Sequence, residues 1–190
     1  MFNKKDYIYR KRSYYSQEGC DHAINLFEKR IDLQHPGFAG KKVNNKLKKS
    51  TDMFLDRNEY TLFEDILQGS LKDYKKIYFN HGISKFDLAP TFKIQRYNPG
   101  EGYFILHSEH GSSILRDGGD PSLRVLVWMV YLNDVHDGGY TEFPHQKRKF
   151  QPRRGDVLMW PAFFTHPHRG ITSKSQTKYI ATGWFSFTNR

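Results

Sequence analysis

Cysteine is nearly absent from this 190-residue chain: Cys20 stands alone, so no internal disulfide can form and a reducing, cytoplasmic setting is expected. Long apolar runs are missing too, and nothing approaches the ~20 residues needed to cross a bilayer. The opening stretch MFNKKDYIYRKRSYYSQ is basic and aromatic but lacks the apolar centre of a secretory signal. There is no internal repeat, low-complexity linker or break in composition, so a single domain over residues 1–190 is the expectation. Acidic residues are outnumbered, 20 to 30, which gives a formal net charge of +10. The basic residues gather in Arg10–Arg12, in Lys41–Lys49, and in Lys147–Lys149 with Arg153 and Arg154. These are separate polar segments without a nucleic-acid motif, and an anionic small molecule or peptide accounts for the charge as well as a nucleic acid does.

What is present divides the chain into two halves. Cys20–Leu33 places Ala23, Ile24, Phe27 and Ile31 at helical spacing and is stopped by His35-Pro36-Gly37. KKVNNKLKKS reads as an exposed loop. Further helices are expected at about 58–68 and 71–79, ending at His81-Gly82. From Thr91 on, short aromatic and β-branched runs alternate with turn signals: TFKIQRY, YFILHSE, LRVLVWMVYL, YTEF, VLMW and KYIATGWFSF. Even spacing of short strands predicts a β-barrel or sandwich, not βα units. The expected fold is therefore mainly β (α+β). A helical layer over about 1–90 would support a β-barrel core over about 91–190.

His107-Ser108-Glu109 is the first chemical signal. In an extended segment residues two apart share a face, so an imidazole and a carboxylate would converge. Those donors suit a first-row divalent metal, and a second histidine would complete the facial triad of non-haem iron oxygenases. Thr165-His166-Pro167-His168-Arg169-Gly170 offers two histidines, and periodicity does not separate them.

Several further motifs come in order: Tyr97-Asn98-Pro99-Gly100-Glu101-Gly102-Tyr103, then Arg124 opening a strand that ends Tyr131-Leu132-Asn133. Gly138-Gly139-Tyr140-Thr141-Glu142-Phe143 follows, then His168-Arg169-Gly170, Lys178 and Trp184. Together they resemble the prolyl 4-hydroxylase-like branch of the 2-oxoglutarate oxygenases, especially its small phage and bacterial forms. The resemblance covers roughly the second half of the chain. It implies a double-stranded β-helix (jelly-roll, cupin-like) core and a metal on His107, Glu109 and His168. His168 is chosen because a glycine follows it after one residue and a basic residue about ten positions on. His166 would then lie beside the metal site or toward the substrate.

By the same resemblance Lys178 pairs with the C5 carboxylate of 2-oxoglutarate, which must be compensated where it is buried. Tyr97 and Tyr131 assist as co-substrate binders, Trp184 walls the pocket, and Arg124 acts at the substrate mouth. Two features depart from the pattern: Glu109 stands where many relatives carry aspartate, and four positions separate Tyr103 from His107 where collagen-type relatives have three.

The implied cofactors are Fe(II), 2-oxoglutarate and O2, with ascorbate as reductant. The implied reaction is hydroxylation of a prolyl residue in a peptide or protein, with 2-oxoglutarate decarboxylated to succinate. A free amino acid or other small molecule is the alternative substrate. A basic β-barrel module binding peptide or nucleic acid without catalysis is the rival class. The loop His110–Ser122 is a candidate lid.

Overall fold

The computed structural model describes residues 6–40, 42–79, 82, 85–111 and 120–188. Its backbone is a double-stranded β-helix built from antiparallel strands. The first part of the chain gives β1 (Tyr9–Lys11), α1 (Gln17–Lys29), β2 (Gln34–Pro36), β3 (Lys48–Lys49), β4 (Thr51–Asp56), α2 (Glu64–Tyr78) and β5 (Phe86–Leu88). Then come β6 (Thr91–Tyr97), β7 (Gly102–Tyr103), β8 (Arg124–Tyr131), β9 (Thr141–Phe143) and β10 (Arg148–Phe150). The chain closes with β11 (Val157–Pro161), β12 (Arg169–Gly170) and β13 (Lys178–Phe187). The major sheet runs β1-β11-β8-β13-β6-β4-β2 with β5 also on β13, and the minor sheet runs β10-β9-β12.

The strand β8 reads RVLVWMVY and is buried along its whole length because both of its faces are covered. Leu126, Trp128 and Val130 point to a core shared with Phe27 of α1, Leu67 and Tyr74 of α2, and Phe92. Val127, Met129 and Tyr131 point the other way, into the barrel. There they meet Phe143 and Phe150 of the minor sheet, and Trp160, Ile180 and Trp184 of the major one. The period of two in a single strand thus separates the helix-facing core from the interior that holds the site.

The two helices lie where apolar spacing predicted helix, but the first ninety residues are not simply a helical layer. They also supply β1, β2, β4 and β5 to the major sheet, and β4 pairs along its length with β6. Of these, β1, β2 and β5 have three residues each, too few for a period-two pattern to register. The first helix begins three residues earlier than expected, capped by Ser16, whose side chain accepts from Gly19 N. The two expected helices at 58–68 and 71–79 are a 3-10 segment Arg57–Leu62 followed by one helix. Gly69 does not interrupt it; a Cβ there would lie 2.3 Å from the Tyr14 hydroxyl, so the glycine admits that ring. The expected end at His81 lies outside the described residues.

The KKVNNKLKKS stretch is not wholly an exposed loop. Lys48 is 1% exposed and its ammonium meets the Asp52 carboxylate at 2.6 Å. Elsewhere the basic segments are drawn into ion pairs: Arg10 with Asp156, Lys11 with Asp73, Lys149 with Glu142, and Arg154 with Asp21. Cys20 is a free thiol on the buried face of α1. No helix among the described residues is long and apolar enough to cross a membrane.

Candidate active site

One cavity of about 730 Å³ opens into the barrel interior, within the size range of small-molecule sites. Its floor is the inner face of two neighbouring strands. Alternation places Lys93, Gln95 and Tyr97 of β6 there, along with Lys178, Ile180, Thr182 and Trp184 of β13. Register aligns them in rows: Lys178 faces Tyr97, Ile180 faces Gln95 and Thr182 faces Lys93.

His107 and Glu109 do not sit on one continuous strand as the sequence suggested, since β7 ends at Tyr103. Instead His107 pairs directly with His168 in an isolated antiparallel bridge, with N–O distances of 3.0 and 2.9 Å. Glu109 is fixed by its own backbone N–H to Ala162 O. These main-chain bonds bring the three side chains together, and one donor atom from each lies within 4.8 Å of the others. His107 Nε2 is 3.4 Å and His168 Nε2 3.8 Å from Glu109 Oε1.

The donor chemistry fits a divalent cation. His107 Nδ1 lies 3.1 Å from Ile105 O, and His168 Nδ1 lies 3.0 Å from His166 O. A carbonyl can only accept, so each Nδ1 donates and each Nε2 presents its lone pair to the centre. Burial, helped by His107, pulls His168 down to about 3, so its imidazole is neutral at physiological pH. Burial alone would push Glu109 up, but the hydrogen bond from His107 and the charge of the Arg124 guanidinium outweigh it and hold the carboxylate well below its ordinary value. Two imidazole nitrogens and one carboxylate on one side of a centre is a facial donor set that suits Fe(II).

The surroundings fix these donors. Arg124 Nη1 donates to Glu109 Oε2 at 3.1 Å and to Glu109 O at 3.0 Å, and its guanidinium lies 3.5 Å from the centre of the Trp184 ring. Trp184 Nε1 donates to the same Glu109 oxygen at 3.3 Å. Tyr103 stacks on His107 at 3.6 Å, and Phe143 and Trp160 flank His168. Lys178 is 4% exposed; its ammonium donates to Gly139 O at 3.1 Å, over the Tyr97 ring. Burial lowers Lys178 to about 8, and no carboxylate among the described residues pairs with it.

The structure thus brings His107, Glu109, His168, Arg124, Tyr97, Lys178 and Trp184 to one cavity. His166 is elsewhere: its ring is bound by Thr165 Oγ1 and Asp6 O at 2.9 Å each, away from the triad. Tyr131 is not on the cavity surface. Its hydroxyl is spent on Thr141 Oγ1, at 2.6 Å, and Phe150 O; Thr141 is the cavity-lining group in front of it. Most of the candidate lid, residues 112–119, lies outside the described residues.

Sequence reasoning missed Lys93, Gln95, Phe54 and Thr141 as lining residues. The first two left a signal in TFKIQRY, where Lys and Gln alternate with Phe92 and Ile94 and therefore share the Tyr97 face. Lys48 and Asp52 left none, because a buried ion pair four residues apart reads as surface charge.

A jelly-roll whose interior carries two histidines, one carboxylate and a buried lysine is the architecture of a metal-dependent oxygenase. The family model of the 2OG-Fe(II) oxygenase superfamily matches residues 92–186, and the chain belongs to that superfamily. A protein of Acanthamoeba polyphaga mimivirus named as a prolyl 4-hydroxylase is 32% identical over 114 residues, covering 53% of this chain and 46% of that one. An Arabidopsis thaliana protein, Probable prolyl 4-hydroxylase 7, is 24% identical over 206 residues, covering 93% and 61%. The chain spans about half the length of several of the curated relatives it matches.

Among solved structures, the viral collagen prolyl hydroxylase of Paramecium Bursaria Chlorella virus-1, in complex with 2OG, superposes with a TM-score of 0.72. It is 23% identical and covers 96% of this chain and 97% of its own. A Trichoplax adhaerens prolyl hydroxylase bound to a hypoxia-inducible-factor peptide fragment gives 0.71 at 14% identity, covering 96% and 84%. At these identities the likeness is one of fold.

Proposed function

We propose that this chain is an Fe(II)- and 2-oxoglutarate-dependent dioxygenase that hydroxylates prolyl residues in a peptide or protein. The observation that carries the proposal is the pairing of a three-donor metal centre with Lys178, a buried ammonium without a carboxylate partner among the described residues, in one cavity. His107, Glu109 and His168 would hold the iron, which when bound supplies activation of dioxygen coupled to decarboxylation of 2-oxoglutarate to succinate.

The residues of the chain do the rest. Lys178 receives the C5 carboxylate of the co-substrate, a charged hydrogen bond in a dry site, beside Tyr97 and the Thr141 hydroxyl that Tyr131 orients. Trp184 and Arg124 clamp Glu109 through two donated hydrogen bonds, so its ligating oxygen keeps one direction. Arg124 and Trp184 also form the wall toward the substrate side. Phe143 and Trp160 exclude water around His168. The names of the relatives support a prolyl substrate, and a neighbour solved with a peptide supports a peptide carrier.

The test is incubation of proline-containing peptides with the chain, Fe(II), 2-oxoglutarate and ascorbate, following succinate release and the gain of one oxygen atom by mass spectrometry. Peptide-dependent succinate formation with an oxygenated product is expected. Absence of 2-oxoglutarate turnover with every peptide and with free L-proline would leave the non-catalytic barrel module standing instead.

A further inference from the structure

The cavity holds more positive charge than the proposed reaction uses. Three of its lining cations have carboxylate partners: Lys48 with Asp52, Arg124 with Glu109, and Arg169 with Glu142. Two do not. Lys178 sits at one end of the floor; Lys93 is the other, four residues along β6 from Tyr97, the register partner of Lys178. At strand rise this puts Lys93 roughly 13 Å further along the floor, beyond the span of a five-carbon co-substrate anchored at Lys178. A divalent metal and a doubly charged 2-oxoglutarate cancel each other, so loading the centre leaves this excess unchanged.

Lys93 is held rather than loose. Its ammonium lies 5.2 Å from the Phe54 ring centre and 5.3 Å from that of Trp184, in a slot between two aromatic faces. Register makes the slot: Phe54 of β4 and Thr182 of β13 are its cross-strand neighbours. The same Trp184 donates to Glu109, so the ammonium stands one side chain away from the metal donors. Burial and the neighbouring Lys48 pull Lys93 down to about 8, a cost that an incoming anion would offset. Asp52 and Glu109 offset that cost only in part and from a distance, and neither forms an ion pair with Lys93.

We propose, building on the function above, that Lys93 is the receptor for a carboxylate carried by the substrate within one residue of the carbon that is hydroxylated. The preferred substrate is then a prolyl residue flanked by aspartate or glutamate, or an amino acid presenting its own carboxylate. A peptide with neutral or basic neighbours would leave the half-buried ammonium without a carboxylate in direct contact.

The experiment uses the full chain loaded with Mn(II), and it first titrates 2-oxoglutarate calorimetrically. Three probes are then titrated in the presence of both: a proline peptide with glutamate on each side of the proline, its glutamine counterpart, and free L-proline. The expected result is at least tenfold tighter binding of the glutamate peptide than of the glutamine peptide. That ratio should fall to near one in Lys93→Met and Lys93→Gln and persist in Lys93→Arg, with thermal melts verifying that each variant is folded. Free L-proline that shows this Lys93 dependence while the peptides do not assigns the carboxylate to the amino acid itself. Equal binding of the two peptides together with Lys93-independent binding of L-proline, a preference that survives Lys93→Met, or no binding of any probe overturns the proposal. Failure of 2-oxoglutarate to bind wild type sinks the proposed function and this inference together; normal 2-oxoglutarate binding without a charge preference sinks this inference alone.

Discussion

Replacing Lys178 with methionine should make the protein more stable and worse at holding its co-substrate. The ammonium is 4% exposed, has a single carbonyl acceptor among the described residues, and is pulled from 10.5 to about 8 by burial. At about 1.4 kcal/mol per pKa unit, that shift corresponds to a folding penalty on the order of 3 kcal/mol at neutral pH. Methionine fills nearly the same volume without the charge, so Lys178→Met should gain roughly 1–3 kcal/mol in urea unfolding at pH 7, allowing for the lost hydrogen bond.

The sign with pH is distinctive. A base with a depressed folded-state pKa carries its full penalty below about 8 and none above the unfolded value of 10.5. Wild type should therefore gain on the variant as pH rises through that window, until the difference closes. Binding moves the opposite way, because a buried carboxylate left unpaired costs on the order of 2–5 kcal/mol. Calorimetric titration of 2-oxoglutarate into the Mn(II)-loaded variant should show a loss of at least thirtyfold, and wild-type affinity should weaken above pH 8 as Lys178 deprotonates. A variant less stable than wild type at pH 7 that still binds 2-oxoglutarate within threefold would refute the reasoning.

His107→Ala and His168→Ala should each cut Fe(II) or Co(II) affinity by more than the 10–100-fold typical of an outer partner, while His166→Ala retains the metal; metal analysis after gel filtration separates them, and the reverse pattern for the two distal histidines would overturn the ligand assignment. Asp52→Ala strands the Lys48 ammonium and removes an acceptor from Gln95 and Ser50, so unfolding free energy should drop by about 3–5 kcal/mol; a loss under 1 kcal/mol in denaturant titration would show that water reaches the pair. Gly183→Ala places a methyl 2.7 Å from the Trp128 ring and 2.9 Å from Phe92 Cβ, both fully buried. It should cost about 1–3 kcal/mol, and an unchanged melting temperature would contradict the packing.

The second half of the chain was legible because its longest strands, β6, β8 and β13, are long enough for a period of two and its donors come in short motifs. His107-Ser108-Glu109, Arg124, Lys178 and Trp184 were picked out in sequence, and all converge on one cavity. The choice between His166 and His168 came from resemblance, since two residues apart in an extended segment are equivalent by period; in the structure, bonds to Thr165 and Asp6 take His166 away.

What the amino-acid order determined alone was local: where apolar faces recur, which turns break them, and which donors sit two residues apart. What only the tertiary structure decided was non-local. Pairing of β4 with β6 buried Asp52 against Lys48 and left Lys93 half-buried on the cavity floor, and the bridge between His107 and His168 did the work that a continuous strand was expected to do. The reason is that burial and charge compensation depend on which segments meet across the sheet, and a lysine destined for the interior looks, one residue at a time, like any lysine on the surface.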